Sequence, residues 1–142
     1  MCGLSGEIRF DGGTPNIDAL ACVSEVMAPR GPDGHGRWQE GPVVLAHRRL
    51  AIIDLSETGA QPMVDEELGL VTVFNGCIYN YRQLRERLLN AGHKLSTRSD
   101  TETLVHLYED DGDRLVDSLR AVLHVARDEV RPVRLRPPQR PQ

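Results

Sequence analysis

Cysteine is scarce: three residues in 142, Cys2, Cys22 and Cys77, with no CxxC pair among them. An odd, widely spaced set excludes a disulfide framework and a structural zinc ribbon, and predicts free thiols in a reducing compartment. Long apolar runs are missing too. No stretch approaches the ~20 residues of a membrane span, and the glycine-bearing start lacks the basic and apolar regions of a secretory signal. Position 2 holds cysteine where a myristoylation signal has glycine. A cytoplasmic chain with no membrane partner is therefore expected. Excess positive charge is also lacking: the net charge is -4, the pI about 5.7, and no basic-aromatic alternation occurs, so nucleic acid is not an expected partner. The glycine-rich RGPDGHG at 30–36 is followed by no GK[ST], which excludes a phosphate loop and leaves a structural turn. His35, His47, His93, His106 and His124 show no ligand spacing, and no metal is assigned to them.

What remains is enough apolar residue, 39%, for one domain of ordinary size. Residues 2–10 alternate, with Cys2, Leu4, Gly6, Ile8 and Phe10 on one face, the period of a half-buried strand. DGG at 11–13 is a turn. Asn16 then caps a helix on Ile17, Leu20, Val23 and Met27 that Pro29 ends, with Cys22 expected on its inner face as a small buried hydrophobe. A strand near Trp38 and one or two strands over 43–55 follow, then a loop at 57–63 and a β-branched strand over 68–76 ending at Asn75-Gly76. Tyr81, Leu84, Leu88 and Leu89 predict a helix from Tyr79 that Gly92 stops. A short strand is expected near Lys94–Thr97. SDTE at 99–102 fits a capping box for a further helix through Leu104, Leu107 and Tyr108. Residues 121–142 break the pattern, holding four of the nine prolines and five arginines at a net +3, and predict a disordered tail.

Cys2 has a chemical use. With Met1 removed, the thiol would lie beside the chain's own α-amine, whose pKa near 7.7–8.0 suits a general base at neutral pH. Nucleophile and base would then be one residue, as in enzymes with an N-terminal threonine.

Six motifs, MCGLSG at the start, RGPDG at 30–34, AHRRLAIIDL at 46–55, GAQPM at 59–63, FNGCIYNY at 74–81 and SDTET at 99–103, carry a family resemblance. In this order, over about residues 2–120, they resemble the glutaminase domain of glutamine-hydrolysing asparagine synthetases, a class II glutamine amidotransferase and N-terminal-nucleophile hydrolase. The resemblance implies an α+β fold, an αββα sandwich of antiparallel sheets, incomplete at its C-terminal end. It implies hydrolysis of L-glutamine to glutamate and ammonia through a thioester on Cys2. Arg49 corresponds to the arginine that grips the substrate α-carboxylate, a group suited to a planar fork. Asn75 and Gly76 correspond to an oxyanion hole. Asp100 corresponds to the carboxylate that holds the α-ammonium group, and Leu50 and Ile52 to pocket lining.

Two departures qualify the resemblance. Cys77 stands where the family has a glutamate in NGEIYN. After Leu119-Arg120 the family's Gly-Met-Phe-Ala-Phe-like strand gives way to the arginine-proline tail, which predicts a truncated or frame-shifted reading frame. The Ser-Gly-Gly-x-Asp-Ser pyrophosphate loop of the family's synthetase domain does not occur in these residues, so no cofactor is expected here and ATP and Mg would serve only that domain. Three readings stay open: a glutaminase module that passes ammonia to a separate synthetase domain or subunit, a non-catalytic glutamine-binding or interaction module, and a nonfunctional remnant.

Overall fold

The computed structural model describes residues 2–122 and 133–134. The fold is α+β with antiparallel sheets. The first sheet has the order β1-β3-β2, made by β1 (Gly3–Ile8), β2 (Gly34–Glu40) and β3 (Val43–Arg49). The central strand β3 is buried along most of its length, as its unbroken VVLAH run requires. Helix α1 (Ile17–Val26) lies on one face, where Leu20 packs on Val44 and Ala46. Asn16 caps it as expected, its side chain accepting from the Ala19 N–H at 3.0 Å.

A second sheet, in the order β4-β5-β8, joins β4 (Met63–Asp65), β5 (Leu70–Thr72) and β8 (Val133–Arg134). A third joins β6 (Cys77–Ile78) to β7 (Ala121–Val122). Helices α2 (Tyr81–Ala91) and α3 (Asp100–Asp111) pack together, α3 also against β4 and β5, and the one-turn α4 (Leu115–Ser118) closes the end. Phe74, Ile78, Leu84, Leu88, Leu107 and Leu115 form the main core; a fully buried Leu or Ile such as Leu88 or Ile78 contributes roughly 1.5–3 kcal/mol. Among the described residues no helix is long and apolar enough to cross a membrane.

Several expectations change. Of the one or two strands predicted over 43–55 one forms, Val43–Arg49, and the strand over 68–76 shrinks to Leu70–Thr72. Residues 94–97 are not a strand, because the carboxylate of Glu102 takes the N–H groups of Ser96 and Thr97 that a neighbouring strand would otherwise accept. The same contacts replace the capping box: Glu102 turns to 96–97 and away from Ser99, whose hydroxyl caps Thr101 N–H at 3.1 Å. Cys22 is exposed, not buried, since α1 covers the sheet mainly through Leu20. Leu89 also points outward. In β1 the more apolar side is the more exposed one, with Leu4 and Ile8 partly open, while Gly3, Ser5 and Glu7 are the more covered. Within the predicted tail, Ala121–Val122 pair with β6 and Val133–Arg134 with β5; the remaining tail residues lie outside the described ones.

Candidate active site

Strand alternation sends His47 and Arg49 to one face of β3 and Arg48 to the other. Arg48 turns to α1, donating to the Ser24 carbonyl at 2.9 Å and pairing with Glu25. Arg49 turns to the loop that follows, where its guanidinium donates to the backbone carbonyls of Asp54 and Ser56. Those two bonds use two of its five N–H donors. Gly59 makes room for it: a Cβ there would come within 2.5 Å of the Arg49 Nη2.

The RGPDG loop braces the same segment from behind. Asp33 N–H donates to the Arg49 carbonyl at 3.0 Å, and the Asp33 carboxylate accepts from Ala51 N–H at 2.9 Å. Gly31 is required by this approach, since a Cβ would stand 2.3 Å from the Arg48 carbonyl carbon. Arg30 donates to the Cys2 carbonyl at 3.4 Å, so one loop touches both the start of the chain and the end of β3.

Cys2 is half-buried against residue 50. Its Sγ accepts from Leu50 N–H at 3.2 Å and can donate to the Leu50 carbonyl at 3.6 Å.

Asn75 and Gly76 are held by their neighbours rather than by a hairpin. Neither has positive φ, which excludes the type I′ turn that an Asn-Gly pair commonly makes. The preceding Phe74 is pinned at both ends: its N–H donates to Gln61 Oε1 at 2.6 Å and its carbonyl accepts from His47 Nε2 at 3.2 Å. His47 is fully buried, and burial pushes its pKa from an ordinary 6.5 down to about 4, assisted by the Arg49 charge and opposed by the Phe74 bond. The ring is therefore neutral at pH 7 and is the donor to Phe74.

Asp100 opens α3 and is buried. One carboxylate oxygen accepts from Ile78 N–H at 3.3 Å, tying the β6 segment to the helix start. Burial raises its pKa, against the lowering effect of its backbone hydrogen bonds. Asp54, by contrast, is held below the usual carboxylate range, chiefly by the Ser56 hydroxyl, with the N–H groups of Ser56 and Arg98 and the Arg49 charge adding to it.

These segments enclose a cleft of about 290 Å³. All eight residues singled out from the sequence, Cys2, Arg49, Leu50, Ile52, Asn75, Gly76, Cys77 and Asp100, line it. Cys77 is half-buried on β6, and Ile52 stands exposed. Sequence reasoning missed His47, Asp54 and Gln61. Gln61 joins three parts of the site, donating to Thr101 Oγ1 at 3.1 Å as well as accepting from Phe74. Its presence in GAQPM was the available signal. Outside the residues that line the cleft, His93, His106 and Glu109 converge although their spacing in the chain shows no ligand pattern.

A family model described as "Glutamine amidotransferase domain" matches residues 1–129. The chain is 45% identical over 98 residues to a probable glutamine-hydrolyzing asparagine synthetase of Dictyostelium discoideum, covering 68% of this chain and 17% of that protein. It is 45% identical over 124 residues to a glutamine-hydrolyzing asparagine synthetase of Arabidopsis thaliana, covering 86% and 20%. With one from Bacillus subtilis it shares 36% identity over 129 residues, covering 89% and 17%. The chain thus spans a fifth or less of the length of these relatives.

Proposed function

The chain belongs to the glutamine amidotransferase domain family, and from that premise we propose that it hydrolyses L-glutamine to glutamate and ammonia at Cys2. The observation that supports this most is that Cys2, a forked cation, an amide side chain and a buried carboxylate, 98 residues apart in the chain at the extremes, share one cleft.

In this reading Met1 is removed and the freed α-amine takes the Cys2 thiol proton. The thiolate attacks the glutamine γ-carbonyl carbon, and the oxyanion is met by the Asn75 side-chain amide and the Gly76 N–H. Collapse breaks the C–N bond; the α-ammonium returns its proton to the departing ammonia and a γ-glutamyl thioester remains. Water then hydrolyses it, releasing glutamate and the thiol. The free donors of Arg49 take the substrate α-carboxylate, and Asp100 takes the α-ammonium, whose charge would draw its raised pKa down again. His47 and Gln61 act as positioning residues, since they fix Phe74 and hence the Asn75-Gly76 peptide.

The same reading makes the fold an N-terminal-nucleophile αββα sandwich. It is supported by α1 on the outer face of β1-β3-β2, by His47 reaching Phe74 from the inner face, and by α3 on β4 and β5. The glutaminase step uses no cofactor. The ammonia would go to an ATP-dependent synthetase domain that makes asparagine from aspartate, in a cytoplasmic setting that keeps the three thiols reduced. Ile52 and Tyr79, exposed at the cleft, offer an apolar rim for such a domain or subunit.

The test is the intact mass of the protein with and without a diazo-ketone analogue of glutamine, followed by peptide mapping. Loss of Met1 and a single adduct on Cys2 are expected. A folded protein lacking Met1 that forms no adduct, or labels on Cys22 or Cys77 instead, would replace the enzyme reading with a glutamine-binding module.

A further inference from the structure

We propose that His93, His106 and Glu109 form a binding site for a divalent d-block cation of the zinc class, outside the cleft lining and independent of the glutaminase reading. Helix α3 supplies His106, Glu109 and Asp110, spaced i, i+3 and i+4 and so carried on one face. His93 comes from the end of α2. There Gly92, at φ +99°, takes the left-handed conformation that ends the helix, and His93 N–H closes the cap on the Leu88 carbonyl at 3.0 Å. That cap fixes where the His93 ring leaves the backbone, directly over α3.

Two imidazole nitrogens converge on one oxygen. Glu109 Oε2 lies 3.3 Å from His93 Nδ1 and 3.3 Å from His106 Nδ1, and all three ligand atoms fall within 4.8 Å of one another. With metal–ligand bonds of about 2.0–2.1 Å, the edge of a tetrahedral zinc site is about 3.3–3.4 Å. Two of the three edges therefore already match, and the His–His edge lies within 4.8 Å.

The outer partner is present as well. Asp110 Oδ1 lies 2.9 Å from His93 Nε2, the carboxylate–histidine arrangement that orients a metal-binding imidazole. The Glu109 carboxylate faces the other ring nitrogen, Nδ1, so the two imidazoles and that carboxylate present their ligand atoms to one space. A doubly charged ion also balances the two carboxylates. Both histidine side chains are about 13% exposed and Glu109 is 39% exposed, so three protein ligands leave the fourth position to water. None of the four residues lines the cleft. The ion would clamp the start of the 93–98 loop onto α3.

The test adds Co²⁺, then Zn²⁺, to the chelator-treated protein at pH 7.5, reading visible absorption and thermal unfolding. One equivalent of Co²⁺ is expected to give the d–d bands of a low-coordinate nitrogen and oxygen site, displaced by Zn²⁺, and Zn²⁺ is expected to raise the Tm. His93→Gln and His106→Gln each lower cation affinity at least tenfold, while Asp110→Asn weakens it less. All variants keep Cys2, Cys22 and Cys77, so thiol binding is common to every sample and shows as near-ultraviolet charge transfer. Absence of both signals overturns the site. So does a signal that survives in both histidine variants, which would assign the cation to other ligands. If one histidine variant is unstable without metal, the other decides.

Discussion

Three consecutive residues of β3 do three different jobs. His47 holds the Phe74 carbonyl, Arg48 holds α1, and Arg49 faces the cleft. The HRR triplet was legible as polar residues interrupting an apolar strand, and alternation alone separates Arg48 from its neighbours. Which face was the cleft was not legible, because that depends on Phe74 and Gln61 arriving from elsewhere. His47 carries a pH prediction. Its folded pKa of about 4 lies below the ordinary 6.5, so between these values the unfolded chain binds more protons and stability rises with pH. The contribution is complete above about pH 6.5 and is lost as pH falls toward 4, on the order of 3 kcal/mol. Urea unfolding from pH 4 to 7 should show this slope in the native protein and a flatter one in His47→Gln, whose amide can still donate to Phe74. Equal slopes would mean that the ring is not the titrating group. Cys77 carries a second prediction. A thiol at this wall of the cleft cannot supply the charge of the glutamate that the NGEIYN resemblance leads us to expect there. Cys77→Glu should strengthen glutamine binding by about 1–3 kcal/mol, lowering KM about fivefold or more. An unchanged KM would show that the position is not used.

Among the elements, helices were more legible than strands, and the reason is length. α1, α2 and α3 run 10, 11 and 12 residues, enough for the apolar period and the caps at Asn16, Gly92 and Ser99 to register. β4, β5, β6, β7 and β8 run two or three residues, too short for any alternation, and exist because a partner strand is already beside them. The segment before α3 failed as a strand for a different reason. Glu102, buried, accepts four hydrogen bonds from the backbone and hydroxyls of Ser96 and Thr97, at 2.6–2.9 Å, and pairs with Arg85 at 3.4 Å. Burial pushes its pKa up, but those donors outweigh it and hold the carboxyl below its ordinary value. Its contribution to stability is accordingly present above that value and fades as acid protonates it. Glu102→Ala should leave the four donors and Arg85 without their acceptor and cost about 2–4 kcal/mol in urea unfolding. Glu102→Gln, which keeps one acceptor oxygen, should recover part of that loss; a loss under 1 kcal/mol in the alanine variant would mean water replaces the carboxylate at no cost.

At the scale of the molecule, the cleft is a property of the whole fold. Its walls come from the chain start, residues 49–54, residues 74–77 and residues 99–101, and no local unit carries two opposed walls. The sequence order of the motifs therefore told which residues belong together without telling how, since their meeting requires β1, β3, the Phe74 segment and α3 to be docked at once. A ligand that reads both ends of an amino acid can bind only after that docking, so its binding energy adds to global stability. L-Glutamate, the product of the proposed reaction, is a suitable probe because it cannot be turned over by an amidase step. At a concentration of 100 times its Kd it should add about 2.7 kcal/mol, a rise in Tm of about 8 °C for a chain of this size. In the proposed reading Asp100→Asn removes the charge that meets the α-ammonium, and Arg49→Lys removes the planar fork that meets the α-carboxylate. Each should shrink the glutamate-induced shift much more than it changes the Tm without ligand. If the shift persists in both variants, the amino acid is held by groups outside this cleft, and the assignment of its two recognition ends to Asp100 and Arg49 is wrong.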